Sequence, residues 1–169
     1  VLEMDKNNAV AQEMVDICSE MEKRQMSPRQ EKYSSQYQQD HFLDQRVFNK
    51  MEAGFFLDIG AADGVSFSNT YFFETFRKWD GICIEPNPVV FEQLKKNRRC
   101  AKVNAAIAEK TGRARYLKVE GYAEMLSGLV DYYEKDHLAR IDNEIKQYGG
   151  SKTEIEVETL NINDLLREH

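Results

Sequence analysis

The stretch from Gly54 to Ile107 changes its periodicity repeatedly, and that alternation constrains the fold more than any other feature. Phe55-Phe56-Leu57-Asp58-Ile59 is a short apolar run of strand length, and Ser66 to Phe76 then takes a helical spacing. Gly81-Ile82-Cys83-Ile84-Glu85 predicts a second strand, Pro88 to Asn97 a helix with proline in its first turn, and Ala101 to Ile107 a third strand. Strand, helix, strand, helix, strand is the pattern of a parallel sheet joined by right-handed crossovers, so the fold class is α/β.

Flanking segments are read the same way. Val10, Met14, Ile17 and Met21 form one apolar stripe of a helix within Asn8 to Met26, ended by Pro28; a polar stretch from Arg29 to Asp40 follows. Phe42, Leu43, Val47, Phe48 and Met51 predict a second helix face. Further on, Arg115 to Val119 and Thr153 to Thr159 read as strands that pair antiparallel. Between them Leu138, Ile141, Ile145 and Tyr148 mark a helix stopped by Gly149-Gly150, and Asn161 to Arg167 begins a last short helix. No internal repeat is present.

Composition narrows the function classes. A chain of 169 residues, 41% hydrophobic and 31% charged with 9 Gly and 3 Pro, excludes collagen-like, low-complexity and disordered readings. It has room for one domain that buries roughly 70% of its unfolded surface. The longest apolar runs fall far short of the roughly 18 residues that span a bilayer, so no membrane segment is expected. With 23 Lys+Arg against 29 Asp+Glu the net charge is −6, the wrong sign for a nucleic-acid partner. Cys18, Cys83 and Cys100 are widely spaced with no CxxC pair, which predicts reduced thiols, a cytoplasmic setting and no metal site. The opening Val1-Leu2-Glu3 has neither an initiator Met nor the apolar core of a signal peptide, which suggests a piece of a longer polypeptide.

The segment that carries chemistry is Asp58-Ile59-Gly60-Ala61-Ala62-Asp63-Gly64, where the first strand hands over to a helix. Small residues there let the backbone approach a ligand closely, and the helix start offers free N–H groups. Glu85 closes the neighbouring strand and brings a carboxylate beside the first strand's end, suited to the two hydroxyls of a ribose. A dinucleotide fingerprint beginning at Gly60 would need glycines where Ala62 and Val65 stand, and no Gly-Lys-Ser/Thr run exists for a P-loop. An acid two residues ahead of the glycine favours instead a ligand with an ammonium group and no phosphate. Plainer readings stand beside these. Asp58 and Asp63 can simply hold their turn, Glu85 can be a solvated loop acid, His41 a packed or surface histidine, and Asn69 a helix cap. Lys95, Lys96, Arg98 and Arg99 read as a solvated helix end, Tyr71, Phe72, Phe73, Phe76 and Trp79 as packing, and Cys83 as a buried, inert thiol.

The run from Gly54 to Gly64, then Ser68-Asn69-Thr70-Tyr71-Phe72-Phe73-Glu74, then Trp79-Asp80-Gly81-Ile82-Cys83-Ile84-Glu85-Pro86-Asn87-Pro88, resembles the FkbM-family methyltransferases. Ser35 to Asp40 and Asn104 to Ala108 are similar to that family too. The resemblance implies a Rossmann-like class I methyltransferase fold with a mostly parallel sheet, and S-adenosylmethionine as cofactor. It implies that residues 1–33 are an N-terminal helical extension and 34–169 the methyltransferase-like domain, with a helical insertion at about 121–150. By the same resemblance Asp58, Gly60, Ala61, Ala62 and Gly64 would wrap the methionine moiety, Glu85 would hold the ribose, and Pro86, Asn87, Asn104 and Ala105 would flank the adenine. Ser68 and Asn69, on the first turns of the following helix, are candidates for the cofactor carboxylate, and Gln39 and Asp40 for closing its methionine end.

Family members methylate hydroxyl oxygens, often on sugars or secondary metabolites, so an O-methyltransferase with a sugar, glycan or small-metabolite acceptor is implied. An alkyl hydroxyl is a poor nucleophile at neutral pH, and Asp63 and His41 are the candidate bases. The resemblance further implies a fourth parallel strand beyond the helix at Leu165-Leu166, beside Phe55 to Ile59. The chain is thus expected to lack its C-terminal strands: truncated, completed by a partner or a second copy, or a binding module without activity.

Overall fold

The computed structural model describes residues 33–168; the amphipathic stripe at Val10 to Met21 and Cys18 lie outside the described residues. The fold is mixed α/β, with a three-stranded parallel sheet and a four-stranded second sheet.

The parallel sheet has the order β1 (Phe55–Ile59), β2 (Asp80–Ile84), β3 (Ala101–Val103). Pairing Asp58 with Cys83, Ile59 with Ile84, and Ile84 with Val103 brings the carboxyl ends of all three strands level. β2 is central, and its alternation serves two cores. On one face Cys83 packs with Phe56, Phe72, Phe73, Trp79, Leu94 and Cys100; on the other Ile82 and Ile84 meet Leu165 and Leu57. Each fully buried aliphatic side chain of this kind stabilises the fold by roughly 1.5–3 kcal/mol. Cys83 is buried as expected, with its sulfur 3.5 Å from that of Cys100. That hydrogen-bonded contact and burial push the Cys83 thiol up, which keeps it protonated.

The first crossover helix, α2 (Tyr71–Phe76), is shorter than the spacing from Ser66 predicts. Asp63 captures the amides of Val65 and Ser66, and Phe67 takes a left-handed φ of 56°, so helical backbone cannot begin until after Ser68. α3 (Pro88–Asn97) matches the expectation: Asn87 Oδ1 accepts from Val89 N at 3.1 Å and Pro88 fills the first position. Before β1, a short helix α1 (Gln39–Phe42) runs on into a π turn at Leu43–Val47. Leu43 and Phe48 pack on the core, but Val47 and Met51 are exposed rather than on a buried face; the helix has ended before Met51, where Asn49 and Lys50 take left-handed φ.

The strand expected over Ala101 to Ile107 is divided. Asn104 Nδ2 donates to the carbonyls of Glu85 and Pro86, at 2.7 and 3.2 Å, and bends the chain there. β4 (Ala106–Ile107) therefore leaves the parallel sheet and joins the second one, whose order is β4, β7 (Gly150–Leu160), β5 (Gly112–Gly121), β6 (Gly128–Leu129). β5 and β7 pair antiparallel, as expected, from Gly112 opposite Thr159 to Gly121 opposite Gly150. Their outer face is covered at one end by α4 (Lys135–Tyr148), which sets Ile141 against Leu117, Val119 and Ala123. At the other end Arg113 and Arg115 form cross-strand ion pairs with Glu154, Glu156 and Glu158. α5 (Ile162–Glu168) then returns to cover Ile82 and Ile84 through Leu165. Among the described residues no helix is long and apolar enough to cross a membrane, and nothing pairs with the outer edge of β1.

Candidate functional site

The ends of β1 and β2 meet in one turn. Gly60 N and Ala61 N both donate to Ile84 O, at 2.9 and 3.0 Å, so the chain leaving β1 folds at once across the end of β2. Gly60 has φ +76°, which a residue with a side chain adopts only at a cost, and a Cβ built there would meet nothing within 4 Å. Its glycine serves backbone conformation, and the space above it is open for a ligand. Gly64, at φ +81°, is the opposite case: a Cβ there would lie 2.6 Å from Leu94 and from the Arg98 stem, so the turn closes directly onto α3.

Glu85 stands across from this turn. Its Oε2 accepts from Ala62 N at 3.0 Å and its Oε1 from Asn87 N at 2.8 Å, so the carboxylate is clamped between the turn and the cap of α3. Burial raises its pKa above the ordinary glutamate value, and the two amides only partly offset this. Each carboxylate oxygen retains a lone pair for a further donor. Asn104 holds the facing loop against Glu85 and Pro86, and Ala105 is buried beside it. Tyr116 of β5 lies close enough that burial, and then the Glu85 charge, push its phenol up and keep it protonated.

Below the turn lies a polar network in the apolar core. Thr70 Oγ1 donates to Asp58 Oδ2 at 2.5 Å and accepts from Arg98 Nη2 at 3.0 Å. Arg98 Nη1 donates to Gly64 O at 3.0 Å and its Nε to Glu74 Oε2. Arg98 is therefore no solvated helix end, as its neighbours in sequence suggested; its side chain is wholly buried. Lys95, Lys96 and Arg99 do stay exposed.

Other candidates turn inward to support the fold. Asp40 is fully buried and accepts from the amides of Ser34, Ser35 and His41 and from Ser35 Oγ, so it holds the entry to α1. Gln39 is exposed and its Oε1 accepts from Tyr37 N. Ser68, ahead of α2 rather than on it, uses its Oγ to accept from Thr70 N and Tyr71 N; Asn69 is exposed beside it. Asp63 accepts from Val65 N, Ser66 N and Ser66 Oγ, the bonds of a turn residue. Burial pushes its carboxyl up, but those three bonds outweigh it and hold the pKa low, which weakens it as a base. His41 lies edge-on to Tyr33, and its Nδ1 is buried with no hydrogen-bond partner among the described residues. A bridge between Ser35 and Phe67 lays the segment before α1 beside the loop that follows the turn.

The residues that build this glycine turn and its clamped carboxylate fall within the match of one family model. The methyltransferase FkbM domain matches residues 58–169, well over half of the chain. The chain belongs to the FkbM methyltransferase family. Its matched region opens at Asp58, near the end of β1, and takes in the turn, β2, β3, Glu85, Arg98 and the whole second sheet. Comparison with curated proteins and with solved structures gives no match. The residues that the sequence left out of the site of this FkbM domain are Thr70, Glu74, Arg98 and Tyr116. An arginine at a helix end, in the run Lys95-Lys96-Asn97-Arg98-Arg99, carries no local mark of burial, so nothing in the sequence singled Arg98 out.

Proposed function

We propose that this FkbM domain binds S-adenosylmethionine across the carboxyl ends of β1 and β2, on a Rossmann-like sheet. We propose further that it serves transfer of a methyl group to a hydroxyl of a sugar, glycan or small metabolite. The observation that carries the reading is the opening above Gly60, faced by the Glu85 carboxylate. The donor set fits the cofactor. Among the described residues only Oδ2 of Asp58 accepts a hydrogen bond, which leaves Oδ1 for an ammonium group. Glu85 would take the two ribose hydroxyls, while Pro86, Asn87, Asn104 and Ala105 border the adenine. Asp40 and Ser68 spend their oxygens on backbone amides, and exposed Gln39 keeps its Nε2 for the methionine end while its Oε1 accepts from Tyr37 N.

When bound, the sulfonium supplies a methyl group that is already activated. The chain's own work is to hold the acceptor in line and to exclude water. Of the two candidate bases, Asp63 has its oxygens engaged by Val65 and Ser66, and His41 has an unshared but buried Nδ1, so neither stands ready as a base without movement. Calorimetry with S-adenosylhomocysteine tests the cofactor: saturable binding to the folded chain is expected, and no heat at millimolar ligand sinks the reading. A second reading, a partner-completed binding module, is favoured by the unpaired edge of β1, where Phe55 and Ile59 are more than half exposed. A monomer that transfers methyl groups rules it out.

A further inference from the structure

Arg98 is 3% exposed, yet its side chain touches the segments at both ends of the Asp58–Gly64 turn. It spends Nε on Glu74, Nη1 on Gly64 O at 3.0 Å and Ser68 Oγ at 3.4 Å, and Nη2 on Thr70 Oγ1 at 3.0 Å. Nη1 also lies 3.9 Å from Asp58 Oδ2, and the guanidinium plane sits over the rings of Phe56 and Tyr71, with centroids at 5.2 and 5.8 Å. These partners come from the end of β1, the close of the glycine turn, the start of α2 and the body of α2. Burying a guanidinium this way is a poor route to stability alone, because the desolvation cost offsets most of the Coulomb gain. A planar fork does offer what an apolar side chain cannot: several fixed directions from one rigid group.

Resting on the cofactor reading above, we propose that Arg98 is a positioning residue for the Asp58–Gly64 turn. Its guanidinium anchors the last carbonyl of the turn and, through Thr70 Oγ1, the carboxylate at the turn's beginning, so both ends of the loop are tied to one rigid plane. Gly64 rests on the Arg98 stem, which leaves the turn no room to sink if the fork lets go. The turn then keeps Gly60 open and Ala62 N aimed at Glu85 before any ligand arrives. Pre-organisation of this kind raises affinity by removing the ordering cost of binding.

Arg98→Lys keeps a positive charge for Glu74 but has one nitrogen in place of the fork, so it cannot serve Glu74, Gly64 O and Thr70 at once. Thr70→Val removes the hydroxyl that links Arg98 Nη2 to Asp58, together with its contact to Ser68 Oγ, and preserves side-chain shape. Amide hydrogen exchange is measured without ligand on wild type and both variants, together with urea midpoints and calorimetric titration with S-adenosylhomocysteine. Turn amides from Ala61 to Ser66 are expected to exchange about tenfold faster in Arg98→Lys, while Ile82 to Ile84 of β2 change less than about twofold. Affinity of the folded protein is expected to fall about tenfold. Turn amides that exchange as in wild type overturn the proposal, and so does a lowered urea midpoint with unchanged affinity, which marks Arg98 as packing alone. Should Arg98→Lys fail to fold, Thr70→Val carries the same test on the same amides. Wild-type protein that binds no S-adenosylhomocysteine defeats the cofactor reading, and ligand-free exchange still decides the role of Arg98.

Discussion

Replacing Glu74 by glutamine removes the counter-charge beneath the turn while leaving the side chain's shape. Glu74 is 5% exposed; its Oε2 accepts from Arg98 Nε, and its Oε1 from Arg99 N at 2.6 Å and Cys100 N at 3.2 Å. A glutamine has one oxygen and one NH2, so in either orientation its NH2 faces a donor: Arg98 on one side, the Arg99 and Cys100 amides on the other. Removing one partner of a buried ion pair costs about 3–5 kcal/mol. Arg98 keeps Gly64 O and Thr70 Oγ1 as acceptors, so the lower end applies, about 3 kcal/mol. In urea unfolding at neutral pH, with a slope of about 2 kcal/mol/M, the midpoint should fall by about 1.5 M with the slope unchanged.

Acid supplies the second arm. Burial pushes the Glu74 carboxyl up, but the Arg98 hydrogen bond, the Arg99 amide, the Arg98 charge and the Cys100 amide together hold it below the ordinary value. A carboxyl depressed in the folded state contributes stability above its unfolded pKa and loses it as the pH falls through the folded one. The gap between wild type and Glu74→Gln should therefore be full at neutral pH and narrow as the pH drops below about 4.3, the ordinary glutamate value. A gap under about 1 kcal/mol at neutral pH, the range of an exposed ion pair, refutes the argument. So does a gap that acid leaves untouched.

Two further predictions concern the ligand side. Glu85→Ala should weaken S-adenosylhomocysteine binding by about 1–3 kcal/mol, and equal affinity in calorimetry refutes its role. Because burial raises the Glu85 pKa, wild-type affinity should begin to fall on acidification at a pH above about 4.3, and the Glu85→Ala profile should stay flat in that window. Gly60→Ala should cost about 1–2 kcal/mol of stability for its positive φ, with no clash, and should lose affinity beyond that, since its methyl enters the ligand's space. Unchanged affinity in a folded Gly60→Ala protein removes Gly60 from the site.

Local rules carried the reading a long way. Apolar runs of strand length and a proline in the first turn of α3 depend on neighbours within a few positions, so β1, β2, α3, the β5–β7 pairing and α4 were legible, as was the meeting of Gly60 and Glu85 at adjacent strand ends. Level strand ends follow from parallel pairing, which places the turn and the acid together whatever the loops do. Tertiary structure decided the rest. Asn104 broke the third strand by bonding to carbonyls of another segment, and Asp63 with Phe67 delayed α2. Sequence alone set the α/β class and the glycine turn at the end of β1. Only the assembled core decided that Arg98 would be buried, because a cation can leave water only where partners from distant segments, here Glu74, Gly64 and Thr70, converge to replace the water it loses.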